Sequence, residues 1–271
     1  MSDPFRIRDH VADFDAVVAD ILARSSAARA NLPNTLGVPY GPDETERLDL
    51  FFPDGPRRDL PVHVFVHGGY WRMFGRSDYS LIAETVTRAG AIAAVLDYAL
   101  MPRVRMETII AQMRRAHAFI LGEIGSYGGD ASRLSVSGHS AGAHLATYWF
   151  DVAAPAGVRS ALLLGGIYDL APLQSSFLAN EIALTDLEVS SFSPLDHRHH
   201  RQTRVSLAYG EMETAPFAVQ AAAFEALLAA QGVFCTRHSI AGRHHMDSVR
   251  DLGVPGSDAA ALLAETIAAS L

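Results

Sequence analysis

Gly138-His139-Ser140-Ala141-Gly142 is a G-x-S-x-G run lying between an apolar stretch, Arg133–Ser137, and a helix-like stretch, Ala141–Phe150. In a strand–turn–helix setting such a run places the serine on a sharp, strained bend with its hydroxyl exposed. Small residues two before and two after the serine let strand and helix approach without clashes. A Gly/Ser-rich loop that matches by chance is the competing reading, and the flanking strand and helix argue against it.

A serine hydroxyl is a poor nucleophile at neutral pH and needs a base held by a carboxylate. The chain order that accompanies such a bend is serine, acid, histidine. His139 and His144 lie too near Ser140 in sequence to be first choices. His244-His245-Met246-Asp247 follows the last predicted strand, in the loop where the base belongs, so His245 is the expected base with His244 the fallback. For the acid, the strand Arg204–Tyr209 ends in Gly210-Glu211-Met212-Glu213, and Glu213 is chosen; either glutamate could reach the histidine. Asp169 reads better as a turn or cap residue, and Asp247 is too close to the base in sequence. His67-Gly68-Gly69-Tyr70-Trp71 ends an earlier strand. The N–H groups of Gly68 and Gly69, with that of Ala141 after the serine, are the expected oxyanion donors. His67 itself reads as a brace for that loop. Tyr70 and Trp71 are candidate walls of a substrate pocket, with packing onto the sheet as the competing role.

The elements that must position these groups follow from periodicity. A helix-like stretch covers about Val11–Ala30, and Pro33, Gly37, Pro39 and Gly41 follow it. Strands are expected at Arg47–Phe52, Pro61–Val66, Ala91–Leu96, Arg133–Ser137, Ser160–Leu164, Arg204–Tyr209 and Phe234–Ile240. Helices are expected at Leu81–Arg88, Met106–Ile124, Ala141–Phe150, Phe217–Gln231 and Ser257–Ala269. Alternating strands and helices after residue 60 imply an α/β fold: a mostly parallel central sheet with helices on both faces and functional groups beyond the strands' carboxyl ends. Residues 1–271 read as one domain, with 1–40 an N-terminal helical arm (packing element or lid) and 171–200 a small cap insertion.

At 271 residues, 49% hydrophobic and 19% charged, the chain can bury a large core without staples. A net charge of −8 argues against a nucleic-acid surface. The single cysteine, Cys235, excludes an intrachain disulfide and a multi-thiolate zinc site. All 22 basic residues are arginine, so lysine Schiff-base chemistry, a phosphate-loop lysine and a Ser-Lys dyad are out. No apolar run is long enough to span a bilayer, and Met1–His10 lacks the apolar centre of a secretory signal. The expectation is a soluble cytoplasmic protein whose partner is a small-molecule substrate, with no nucleic acid, no membrane, no cofactor and a homodimer left open. His197-Arg198-His199-His200-Arg201 has no accompanying carboxylate or thiolate pattern and reads as a solvated surface run, with metal ligation the alternative. No metal is expected.

Taken together, these motifs resemble the α/β-hydrolase superfamily over most of the chain after about residue 40. Within it the chain is most similar to the kynurenine formamidase (arylformamidase)-like and hormone-sensitive-lipase-like esterases. The residues carrying the resemblance are His67-Gly68-Gly69-Tyr70-Trp71, Gly138 to His144, Ser193-Pro194-Leu195, and His245 before Met246-Asp247. Tyr70-Trp71, where lipase-like relatives carry a third glycine, is the formamidase-like version. In that family the acid is commonly an aspartate in a G-x-x-D-S-P-E-F-like run, which Gly210 to Phe217 resembles with Glu213 at the acid position. The resemblance implies a serine hydrolase that cleaves an aryl formamide or small ester through an acyl-enzyme. A short-chain carboxylesterase, an amidase or lactamase, a metal-dependent hydrolase and a non-catalytic binding protein are the other readings.

Overall fold

The computed structural model describes residues 2–271. Eight strands form one sheet: β1 Asn34–Pro39, β2 Arg47–Phe51, β3 Leu60–Val66, β4 Ile92–Leu96, β5 Gly129–His139, β6 Val158–Leu164, β7 Arg204–Gly210 and β8 Cys235–Ile240. Their spatial order is β1-β2-β4-β3-β5-β6-β7-β8. β1 and β2 are antiparallel to their neighbours, and every pair from β4 to β8 is parallel. The helices are α1 Phe14–Asn31, α2 Ala83–Arg88, α3 Met106–Glu123, α4 Ala141–Thr147, α5 Asp186–Phe192, α6 Ala215–Ala230, α7 His245–Asp251 and α8 Asp258–Ala268. This is the α/β-hydrolase fold.

The central strands are apolar on both sides because helices cover both sheet faces. β4 is fully buried along its length, and β3 is buried from Pro61 onward. The one polar side chain inside β3 is His63. Its two ring nitrogens meet the Ser135 and Ser137 hydroxyls of β5 at 2.8 and 2.6 Å. Burial pushes its pKa down to about 3, so it sits in the core as a neutral, satisfied imidazole.

From β3 the chain crosses to β4 on one side, and from β5 to β6 on the other. The carboxyl ends of β3 and β5 therefore flank the point where the strand order reverses, the usual place for a site in such sheets. Gly68-Gly69 leaves β3 there, and Ser140 leaves β5.

Three local readings differ from the sequence expectation. The segment with Pro33, Gly37 and Pro39 is the edge strand β1, where proline is tolerated because one side needs no donor. Gly37, at φ +71°, lies at the irregularity in its register with β2. His245 is not in a loop but opens α7, because His244 caps that helix and exchanges hydrogen bonds with Asp247.

The third difference is the histidine-rich run. It is not a solvated face: His199 is buried, and the run is stitched to the end of α4 by Val152 N–H donating to Arg198 C=O and His200 N–H to Phe150 C=O. His197 Nδ1 donates to Asp151 at 2.5 Å and Nε2 to Ser191 C=O at 3.0 Å. This pair holds down the segment that follows α5. The hydrogen bond from Asp151 outweighs burial and raises the His197 pKa. Burial pushes Asp151 upward, but the His197 and Ala153 hydrogen bonds outweigh it and hold the carboxyl below its ordinary value.

The two shifts define a window. The histidine's contribution is complete below the unfolded imidazole pKa of about 6.5 and fades as pH rises through the raised folded value. The aspartate's contribution fades only as pH falls through its lowered value. Asp151→Asn is therefore expected to lower the melting temperature by roughly 3 °C at pH 6, with the deficit shrinking by pH 9. Thermal melts of both proteins at several pH values check this, and a deficit constant from pH 6 to 9 would contradict it.

Candidate active site

Ser140 has φ +56° and ψ −121°, a strained conformation for a residue with a side chain. It is possible because its neighbours lack Cβ atoms. A Cβ on Gly138 would lie 2.2 Å from Gly142 O, and one on Gly142 would lie 2.1 Å from Val66 O. Ser140 N–H donates to Leu164 C=O at 2.8 Å, tying the bend to β6. The bend thus hangs between β5, β3 and β6, at the head of α4.

Glu213 and His245 come together beside it. His245 Nδ1 donates to Glu213 Oε2 at 2.8 Å, and both side chains are almost wholly buried. The other carboxylate oxygen, Oε1, accepts from Gly210 N–H at 2.8 Å. That arrangement leaves His245 Nε2 as the free nitrogen, the tautomer a general base requires. The space for the pair is cleared by Gly165, at φ +54° beyond β6. A Cβ there would stand 2.9 Å from two atoms of the imidazole and 3.2 Å from Glu213 Oε1. Glu211 points elsewhere, its carboxylate accepting from Gly242 N–H. His244 serves as the α7 cap, and Asp169 accepts from Ala171 N–H two residues on.

Ser140 and His245 line one cavity of about 30 Å³, with Gly69, Tyr70, Phe74, His139 and Met246 among the other walls. Ser140 Oγ makes no hydrogen bond to His245 in this resting geometry; such links are often long until a substrate tightens them. His139 Nε2 donates to His245 C=O at 3.0 Å and fixes the start of α7. Burial, and then the neighbouring His245, push its pKa far down, so His139 is neutral.

The loop after β3 runs against the bend. A Cβ on Gly68 would fall 3.2 Å from Ser140 Cβ and 2.7 Å from His139 O, and one on Gly69 (φ +109°) would fall 2.3 Å from Met73 O. Among the described residues the N–H groups of Gly68, Gly69 and Ala141 have no protein acceptor, which leaves them available to an oxyanion. Tyr70 and Trp71 also have positive φ, at +54° and +59°. The loop is pinned from below: His67 Nδ1 donates to Gly68 C=O at 2.8 Å, and its ring stacks on Tyr98 at 4.3 Å. Burial keeps His67 neutral by lowering its pKa.

Trp71 is no pocket wall. It is fully buried, and its indole N–H donates to His144 Nδ1 at 3.2 Å while His144 Nε2 donates to Phe192 C=O at 2.8 Å. The two residues bolt the loop to α4 and to the end of α5. Tyr70 does line the cavity, and its hydroxyl donates to Phe5 C=O at 2.8 Å and accepts from Ile7 N–H at 3.2 Å. The segment around Phe5 and Ile7 thus lies over the site, and Ile7 and Phe14 are among its walls. No periodicity or spacing in the sequence signals that contact.

Known proteins with this pattern fit the geometry. A family model described as BD-FAE matches residues 48–149. Kynurenine formamidase of Danio rerio is 30% identical over 213 residues, covering 76% of this chain and 71% of its own. That of Drosophila melanogaster is 27% identical over 238 residues, covering 83% of this chain and 78% of its own. A solved structure from Silicibacter sp., provisionally described as a thioesterase, superposes with a TM-score of 0.84 at 25% identity, covering 98% of each chain. Esterase B of Lactobacillus rhamnosis shares the fold, with a TM-score of 0.75 at 18% identity over 96% of this chain and 97% of its own. With a bent serine beside a buried Glu–His pair on this sheet, and a relative matched over most of both chains, the protein belongs to the kynurenine formamidase-like esterases of the α/β-hydrolase superfamily.

Proposed function

We propose that the protein hydrolyses a small acyl group, formyl foremost, from an aryl amine, as in an N-formylkynurenine-like substrate. Ser140 is the nucleophile, His245 the general base and Glu213 its orienting acid. The observation that carries this reading is the cavity shared by Ser140 and His245. That cavity is small, about 30 Å³, and suits a small acyl group.

The steps follow from the side chains. Ser140 Oγ attacks the carbonyl carbon as His245 Nε2 takes its proton. Glu213 keeps Nδ1–H in place and stabilises the imidazolium, and the N–H groups of Gly68, Gly69 and Ala141 take up the negative oxygen. The tetrahedral adduct collapses as His245 returns the proton to the leaving nitrogen or oxygen. Water activated by the same imidazole then releases formate or another small acid and regenerates the serine. No step calls on a cofactor. Cys235 takes no part: burial pushes its thiol up to about 12, out of reach of thiolate chemistry at neutral pH.

A short-chain carboxylesterase is the second reading; ester chemistry as such is supported by the isoprenylcysteine alpha-carbonyl methylesterase of Arabidopsis thaliana, 33% identical over 109 residues, 40% of this chain and 26% of its own. We place the enzyme in the cytoplasm as part of the same reading; no helix among the described residues is long and apolar enough to cross a membrane.

Ser140→Ala is expected to cut turnover of an N-formyl anilide by about 10⁴-fold or more and to abolish labelling by a fluorophosphonate probe. Turnover retained at the wild-type level would refute the mechanism. Glu213→Gln keeps the shape but not the charge, and kcat is expected to fall by about 10²–10⁴-fold with KM little changed. Across aryl formates, acetates and butyrates, kcat/KM is expected to fall steeply as the acyl chain grows. A flat or rising profile would show that the 30 Å³ cavity does not hold the acyl group.

A further inference from the structure

Under the acyl-transfer reading the negative oxygen is met from two sides. Ala141 N–H stands at the start of α4, whereas Gly68 and Gly69 N–H stand on the loop that leaves β3. The two sides must keep a fixed separation, because a misplacement of about 1 Å can cost about 10²-fold in rate. Backbone preference alone does not hold the loop. Gly69, Tyr70, Trp71 and Phe74 have φ of +109°, +54°, +59° and +70°, and such a run persists only where its surroundings over-determine it. Arg72 and Met73 N–H both donate to Gly69 C=O, and Met101 N–H donates to Trp71 C=O at 2.8 Å. Those bonds fix the shape of the loop and tie it to the segment after β4. None of them reaches α4.

One pair of side chains does. The buried indole of Trp71 stands edge-on to the His144 ring, with centroids 5.1 Å apart and planes at 89°, and its N–H donates to His144 Nδ1 at 3.2 Å. Among the described residues this is the one hydrogen bond between the loop 68–74 and α4. His144 lies one helical turn past the nucleophile, its own N–H donating to Ser140 C=O at 3.2 Å. The turn that carries Ser140 and Ala141 therefore also carries the acceptor that holds the loop. An acceptor at Nδ1 requires the tautomer with its proton on Nε2. Phe192 C=O, at the end of α5, selects that tautomer by accepting from Nε2 at 2.8 Å, and it is itself held by the Tyr148 hydroxyl at 2.9 Å. Burial pushes the His144 pKa down to about 4, so the ring is neutral near pH 7 and keeps a bare nitrogen for the indole.

We propose that Trp71 and His144 are positioning residues for the reaction: their hydrogen bond sets the separation between the two sides of the oxyanion hole, and Phe192 C=O sets the tautomer that makes the bond possible. Neither side chain lines the cavity of Ser140 and His245, so neither touches the reacting atoms. The inference rests on the acyl-transfer reading of Ser140 and adds what keeps its amides aimed. The negative oxygen develops only on the way to the tetrahedral adduct, so a loosened loop lowers kcat and leaves KM in place.

Three single variants separate the two ends of the His144 ring. Trp71→Phe keeps an aromatic ring and removes the N–H. His144→Gln puts an amide nitrogen near the place of Nε2, within reach of Phe192 C=O, and leaves no acceptor near Nδ1. His144→Asn puts its carbonyl oxygen near the place of Nδ1 and keeps an acceptor for the indole. With phenyl acetate, Trp71→Phe and His144→Gln are each expected to lower kcat about 10–10²-fold with KM within about twofold of wild type. The double variant is expected to be no slower than the slower single one, because the same bond is lost only once. His144→Asn is expected to stay within about threefold of wild type. A second readout is affinity for trifluoroacetone. Its carbonyl carbon bonds to Ser140 Oγ, its oxygen takes the electron pair and becomes the anion, and His245 takes the serine proton. That affinity is expected to fall in Trp71→Phe by about the same factor as kcat/KM. The positioning inference falls, and the acyl-transfer reading stands, if Ser140→Ala is inactive while both Trp71→Phe and His144→Gln keep wild-type kcat. It falls equally if their losses multiply in the double variant, if His144→Asn is as slow as His144→Gln, or if trifluoroacetone binds Trp71→Phe as tightly as wild type. If Ser140→Ala remains active, both readings fall together.

Discussion

The site depends on one strained residue. Ser140 holds φ at +56° where a residue with a side chain pays about 1–3 kcal/mol, and the surrounding structure must over-determine it. Gly138 and Gly142 remove the clashes, Leu164 C=O fixes the Ser140 amide, and α4 starts at the next residue. Everything else is arranged about that bend. Gly68 packs on the Ser140 Cβ, and Gly165 clears room for the imidazole that approaches from β8. The sheet contributes by sending β3 and β5 to opposite sides, so that their ends open a crevice rather than a packed seam.

The positioning of the charged pair follows the same economy. Glu213 is buried, yet it is no orphan: Gly210 N–H and His245 Nδ1–H occupy its two oxygens. A buried carboxylate with both oxygens engaged can orient its partner with little freedom left to lose. His139, next to the serine, works in the same direction by holding the His245 backbone.

Much of this was legible in the residues. Strand–turn–helix order around Ser140 follows from an apolar run meeting small residues and then a helix-forming stretch. Glu213 and His245 follow from their places after the last two strands. Those are local signals read against a topology with few alternatives. What was not legible is tertiary. β1 hides behind prolines and glycines that an edge strand can carry. α7 depends on a histidine acting as a helix cap, a role its composition does not advertise. The histidine-rich run reads as surface because charge dominates it, yet Asp151, 46 residues earlier in the chain, draws His197 inward. Trp71 reads as a pocket wall because it follows the glycine loop, but His144 offers its indole a buried acceptor and turns it away. For His197 and Trp71 the deciding partner is distant in sequence, and nothing in local pattern names it.

Tyr70 ties two jobs into one residue. Its backbone continues the loop of Gly68 and Gly69, and its hydroxyl grips the N-terminal segment at Phe5 C=O and Ile7 N–H. The N-terminal segment and the loop are therefore mechanically linked: a force that lifts the segment pulls on the strained loop and, under the proposed mechanism, on the amides that face the oxyanion. Under that mechanism, a descendant that loosened this segment to admit bulkier compounds would also blur the aim of those amides. Promiscuity here would be bought with speed.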